Sequence, residues 1–189
     1  VGQAAVTVAK IGIARSDPAY YPGIVANSVL GGGYSARLNG EIRVKRGLSY
    51  GANSSLSARR TTGLFRASAQ TKNVSAPEVL DLIMAEMGKL AAEPAGAEEL
   101  KARKSVLIGG FGRSLETTDG LAAILGNLAL YNQPLSELNA YTGKVDAVTP
   151  AEVQAFAKAH LDPAGVSVII AGDAKSFAEP LKAKLPNLE

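Results

Sequence analysis

LGGGYSARLNGEIRVKRGLSY, residues 30–50, sets a triple glycine ahead of a short basic helix that closes on Gly47 and reaches a tyrosine at position 50. Three consecutive glycines, Gly31 to Gly33, permit positive φ and close backbone approach. Leu38 and Ile42 lie four apart, the spacing of one helical face, and predict a helix over Ala36 to Arg46. Arg43 and Tyr50 then stand seven residues apart.

On the N-terminal side of this stretch, Ala4 to Ala14 (AAVTVAKIGIA) is rich in small and β-branched residues and reads as a strand buried on at least one face, ended by Asp17-Pro18. Tyr21, Ile24, Val25, Ser28 and Val29 recur at helical spacing up to the glycine triplet, where that helix stops. On the C-terminal side, Tyr50 to Ala58 and Gly63 to Thr71 read as two strands joined by a polar turn at Arg60 to Thr62. Ser75-Ala-Pro-Glu78 has the form of a capping box. It precedes a helix whose apolar stripe is Val79, Leu80, Ile83, Met84, Met87 and Leu90.

After a break at Ala92 to Gly96, a second long helix starts near Glu98, and Gly109, Gly110 and Gly112 predict a kink or a close helix contact, since each costs up to about 1 kcal/mol in a helix interior. Leu121 to Leu130 reads as a buried helix. Thr149-Pro-Ala-Glu152 repeats the capping box ahead of a short helix to His160, with proline at the first helical position. Gly165 to Ala171 (GVSVIIA) reads as a fully buried strand, and Gly172-Asp173 turns the chain into a final helix. The order β-α-α-β-β, several helices, β-α requires the late strand to rejoin the early ones in one sheet covered by helices. The fold class expected is α+β, a mostly antiparallel sheet packed with helices.

The 189 residues are enough for a single well-cored domain, residues 1–189. With 47% hydrophobic and 20% charged residues the composition is that of a globular chain, not a disordered one. Lys and Arg are spread along the sequence, so the formal charge of +3 does not point to nucleic acid. The longest apolar run, Leu121 to Leu130, is far short of the ~20 residues that cross a bilayer, and no membrane insertion is expected. Absence of cysteine excludes disulfides, thiolate zinc ligands and thiol catalysis in this chain. The sequence starts at Val1 with no charged-then-apolar leader, and is expected to be a processed or excised piece of a longer chain.

Among chemistry-bearing residues, spacing alone makes Arg43 a solvated charge on a helix face with Glu41, Lys45 and Arg46. Alternation places Tyr50 on one strand face with Ala52 and Leu56, where it would pack. The glycine triplet follows a helix and lacks the lysine and hydroxyl of a phosphate loop, so it reads as a helix stop. His160, the single histidine, sits at a predicted helix end, where an imidazolium suits the dipole. A catalytic zinc centre usually has three protein ligands, often two of them histidine, and a single histidine cannot supply such a pair. Glu98 and Glu99 suit a helix start, and Glu116 is isolated. No Ser/His/Asp arrangement is available.

From the strand near Ala4 to the helix near Pro180, and most specifically through LGGGYSARLNGEIRVKRGLSY, the chain resembles the C-terminal domain of the pitrilysin and insulysin family of zinc metallopeptidases, in particular its bacterial processing-peptidase-like branch. In that family two similar half-domains or subunits pair. One carries an inverted zinc motif, H-x-x-E-H, and the other supplies an arginine and a tyrosine to the same active site. Arg43 and Tyr50 match that pair in spacing and context, whereas Arg46 is offset by three. The zinc motif is absent from this sequence.

The resemblance implies a metallopeptidase-like half-domain that is inactive alone. Arg43 and Tyr50 would contact substrate and the oxyanion, zinc would belong to a homologous zinc-bearing partner domain or subunit, and the substrate would be an unfolded or short peptide. The glycine loop would lie near the substrate chamber. Relatives of that branch are often exported, which implies the periplasm, although the residues leave the compartment open. Two other readings remain at this stage. One is a structural or interaction module of the same fold that has lost peptidase function. The other is an unrelated α/β ligand-binding domain, which predicts that strand Gly165 to Ala171 lies outside the main sheet.

Overall fold

The strand at the N-terminus alternates small and β-branched residues, and β1 (Gln3–Ile11) buries Ala4, Val6 and Val8 on one face while its intervening residues stay partly open. The computed structural model describes residues 2–182 and 184–185. β2 (Ser49–Ser57) and β3 (Leu64–Lys72) form a hairpin, and β4 (Ser167–Ala171) returns from the far end of the chain. The four make one antiparallel sheet in the order β2-β3-β1-β4. Register sets Val6 opposite Ala69 on one side and Ile170 on the other. The expected α+β class and the return of the late strand are both observed, and the unrelated-domain reading loses its distinguishing prediction.

One face of the sheet is covered. α1 (Tyr20–Gly31) lies on β2, and α3 (Ala76–Ala92) lies on β1 and β3, burying Val79, Leu80, Ile83, Met87 and Leu90. The remaining helices, α4 (Ala97–Leu115), α5 (Thr118–Leu130), α6 (Ser136–Ala147), α7 (Pro150–His160) and α8 (Ala178–Lys182), build outward from this layer, with α7 packed on α1 and α3. Between α1 and β2 comes a short helix, α2 (Arg37–Asn39), that widens at once into a π-helical turn, Gly40–Lys45. The other face of the sheet is left open, presenting Thr7, Asn53, Arg66, Ser68 and Gln70. No helix among the described residues is long and apolar enough to cross a membrane.

Several expectations need correction. β1 ends at Ile11 rather than Ala14, because Gly12 lies against the backbone of Gly63 and Leu64 and Ala14 keeps only an isolated bridge to Arg59. Helix 36–46 is not a uniform α-helix but α2 plus the π turn. At Ser75 no capping bond forms. The chain there is already helical (φ −93°, ψ −3°) after a 3-10 turn, whereas a cap needs extended backbone. Thr149 is extended (ψ 159°), and its box with Glu152 closes in both directions. α4 runs unbroken through Gly109, Gly110 and Gly112, where only the tip of Arg113 comes near.

α5 is helical as expected but not buried: Leu128 alone among its residues is inside, and Leu130 is 55% exposed. β4 is an edge strand paired only with β1, which leaves Ile169 60% exposed. α6 had no specific forecast; a mixed run with one buried residue, Val145, gives little periodic signal.

Candidate functional site

The π turn and the start of β2 bring Arg43 and Tyr50 together. The Arg43 guanidinium carbon lies 4.6 Å from the centre of the Tyr50 ring and 5.0 Å from that of Tyr34. Cation–π contacts hold the charge without consuming its N–H donors. Among the described residues no carboxylate pairs with Arg43 and no acceptor takes its side-chain donors. Its neighbours differ. Glu41 accepts from both Lys45 and Arg46, and those bonds hold its carboxyl below the ordinary value. Arg46 is therefore spent on a local ion pair, while Arg43 is kept between two aromatic rings with its donors free.

Tyr50 is 89% exposed although Ala52, two residues on, is buried. Strict alternation fails here because β2 shifts register between Ser49 and Ala52, a bulge that turns the Tyr50 side chain off the core face. Ser49 Oγ stabilises the irregularity by donating to Gly51 O (2.7 Å) and accepting from Gly51 N (3.1 Å). Gly47, at φ +62°, ends the π turn in the left-handed region that favours glycine. Tyr50 then stands at one end of a polar trough of about 430 Å³ on the open sheet face, lined by Thr7, Asn53, Arg66, Ser68 and Gln70.

Two buried polar residues fix this geometry. Asn39, 3% exposed, donates from Nδ2 to Tyr34 O at 2.7 Å and accepts at Oδ1 from Ala52 N at 3.3 Å, tying the Tyr34 loop to the strand behind Tyr50. Arg103, also 3% exposed, reaches from α4 to donate to Ser28 Oγ (3.3 Å), Ser35 Oγ (2.8 Å) and Gly32 O (3.2 Å). Burial lowers the pKa of Arg103, and no carboxylate bonds it among the described residues. The glycine triplet is thus more than a helix stop. A Cβ on Gly31 would meet Ser54 N at 2.3 Å, so Gly31 lets α1 close on β2, while Arg103 holds the loop beyond it.

Tyr34, Asn39 and Arg103 were not singled out from the sequence. Arg103 had a readable signal, since Leu100, Arg103 and Leu107 share one helical stripe and a charge inside an apolar stripe marks a buried role. His160 ends α7 with its ring tilted against Phe156, centroids 4.7 Å apart. No group of three or more His, Cys, Asp or Glu side chains able to hold a metal ion occurs among the described residues. Another concavity lies at the far end of β2, lined by Leu56, Ser57 and Arg59.

Comparison with known proteins places this chain among peptidase M16 inactive domains. Residues 1–107 match the family described as the peptidase M16 inactive domain. The sequence is 31% identical over 156 residues to an uncharacterized zinc protease of Streptomyces coelicolor, covering 82% of this chain and 34% of that one. A peptidase M16 inactive domain from Pseudomonas fluorescens superposes with TM-score 0.84 at 29% identity, covering 91% of this chain and 41% of that one. An inactive peptidase domain from Bordetella parapertussis, 18% identical, shares the fold at TM-score 0.77 over 91% of this chain and 94% of its own. The chain spans about a third of the Streptomyces relative's length.

Proposed function

The chain belongs to the family of peptidase M16 inactive domains, and on that premise we propose that it is the non-zinc half of a zinc protease, holding peptide substrate and stabilising the oxyanion for a zinc-bearing partner domain. The observation that carries this reading is the Arg43 guanidinium, set between Tyr34 and Tyr50 with its donors free, beside an exposed Tyr50 at the end of an open polar trough.

Zinc does not fit this chain's own residues. The single histidine packs its ring tilted against Phe156, and no acidic or imidazole cluster surrounds it among the described residues. Metal chemistry is therefore assigned to the partner, where zinc would activate water. The parts of relatives that this chain does not span leave room for such a domain.

Within that assembly, Arg43 and Tyr50 act as donors. A peptide carbonyl oxygen that gains negative charge during attack accepts from the permanently charged guanidinium and the phenol hydroxyl. Both donors are in place before substrate arrives, so little reorganisation accompanies the reaction. The trough supplies hydroxyl and amide groups at Thr7, Ser68, Asn53 and Gln70 for an extended peptide backbone. The proposed substrates are short or unfolded peptides.

The test is reconstitution. Peptide hydrolysis is measured for this chain, for the zinc-bearing domain, and for the two together. Activity and bound zinc in the combination, with no hydrolysis by this chain, support the proposal. Full activity of the zinc-bearing domain without this chain overturns it in favour of a structural module.

A further inference from the structure

A second concavity lies apart from the Arg43 site. At the far end of β2, roughly 23 Å along the strand from Tyr50 at ~3.3 Å per residue, a cavity of about 490 Å³ opens between α1, α4, α5 and α6. Its volume falls in the roughly 300–1,000 Å³ range of ligand sites. Of the chain's six Tyr and four Phe, five line it: Tyr20, Tyr21, Phe111, Tyr131 and Tyr141. α5 leans on α4 and contributes the buried Leu128 and the half-buried Ile124 to the cavity wall.

The polar groups of the wall are unevenly satisfied. Tyr21 donates to Glu137 at 2.6 Å, while the hydroxyls of Tyr20, Tyr131 and Tyr141 bond no described residue and are not sealed from solvent, which leaves them open to a ligand. Burial pushes the Tyr141 hydroxyl up to about 12, so it stays a donor. Charge is also unbalanced. Glu137 is the only carboxylate in the lining among the described residues and already faces two cations, Arg15 at 3.5 Å and Lys144. Arg15 is further fixed over the Tyr20 ring at 3.8 Å. Arg59, exposed at the rim, pairs with no carboxylate among the described residues.

An aromatic-walled cavity with free phenol donors and an unmatched guanidinium at its mouth is complementary to one chemical class. We propose that this cavity is a second binding site, separate from Arg43 and Tyr50, that takes an amphipathic carboxylate with its apolar body among the rings and its carboxylate at Arg59. Both a free aliphatic acid and the C-terminal residue of a hydrophobic peptide have that chemistry.

The test is equilibrium dialysis of the full-length parent protein against labelled decanoate, then decanol, then a tetrapeptide ending in leucine as its free acid and as its amide. Saturable binding of one decanoate per chain is expected, weakened at least tenfold by Arg59→Gln, with decanol unaffected by that change. Asn127→Trp, made at an exposed position on α5 that lines the cavity, should abolish binding of both. Unchanged circular dichroism melts for the two surface variants show that folding is retained. Competition by the free-acid peptide but not its amide supports the proposal with a peptide terminus as ligand; competition by neither supports it with a free acid. Absence of saturable carboxylate binding overturns it, as when the parent's own chain fills the cavity. So does decanoate binding that ignores both substitutions, or decanol binding as tightly as decanoate.

Discussion

Replacing Asn39 with alanine should separate a positioned site from a merely adjacent pair of residues. Asn39 is buried and makes two bonds that nothing else replaces, to Tyr34 O and from Ala52 N. Truncation leaves both groups without their partner and opens a small void. The Tyr34 carbonyl belongs to an exposed residue and can recruit water, while the amide of Ala52 belongs to a buried residue and is costlier to leave unpaired. Taking about 1 kcal/mol for the first and up to 3 for the second gives a loss of about 2–4 kcal/mol. For a chain of this size that corresponds to a fall of roughly 4–16 °C in Tm. Urea unfolding of the 189-residue chain should show the lower midpoint with an unchanged slope. Asn53→Ala is the control, because Asn53 is exposed and accepts only a long 3.4 Å bond from Ser68; it should change stability by less than about 0.5 kcal/mol. A loss below about 1 kcal/mol for Asn39→Ala would refute the claim that this amide ties the Tyr34 loop to β2.

Other expectations follow from contacts equally specific. Gly31→Ala drives a methyl into Ser54 N at 2.3 Å and should destabilise by about 3 kcal/mol or more, whereas Gly40→Ala meets nothing within 4 Å and should be neutral or slightly stabilising in the same denaturation assay. Thr149→Ala removes a formed cap and should cost about 1 kcal/mol, while Ser75→Ala removes none and should stay within about 0.5. Three carboxyls lie below their ordinary 4.5: Glu41, through bonds from Lys45 and Arg46; Glu152, through the Thr149 amide and hydroxyl; and Glu137, where burial pushes upward but bonds from Lys144 and Tyr21 prevail. Because these folded-state values are depressed, their stabilisation is complete above pH 4.5 and is lost as pH falls through them, so Tm should drop in acid and the drop should shrink in Glu152→Gln.

The sheet and its main covering helices were legible because their signals are local and periodic. β1, β2 and β3 alternate, α3 carries a clear stripe, and Gly47 and Thr149 act where their chemistry says they should. What periodicity could not show was irregularity. The bulge at Tyr50 and the π turn at Arg43 both break the repeat used to assign faces, and both lie at the candidate site. Burial of α5 was overestimated because an apolar run reports the need for a cover, not its presence in this chain. Arg43 and Tyr50 were identified by resemblance. Spacing alone made one a surface charge and the other a core residue, and the structure shows the first half-buried against two exposed aromatic rings and the second in solvent.

The most direct test of the central claim is the rate of peptide hydrolysis by the zinc-loaded parent protein carrying Arg43→Ala or Tyr50→Phe. If these groups are donors to the developing oxyanion, each substitution should lower kcat by about 100-fold or more while zinc content and assembly stay intact. Unchanged kcat in both variants, with zinc and assembly retained, would contradict the account and leave this chain a structural half of its protease.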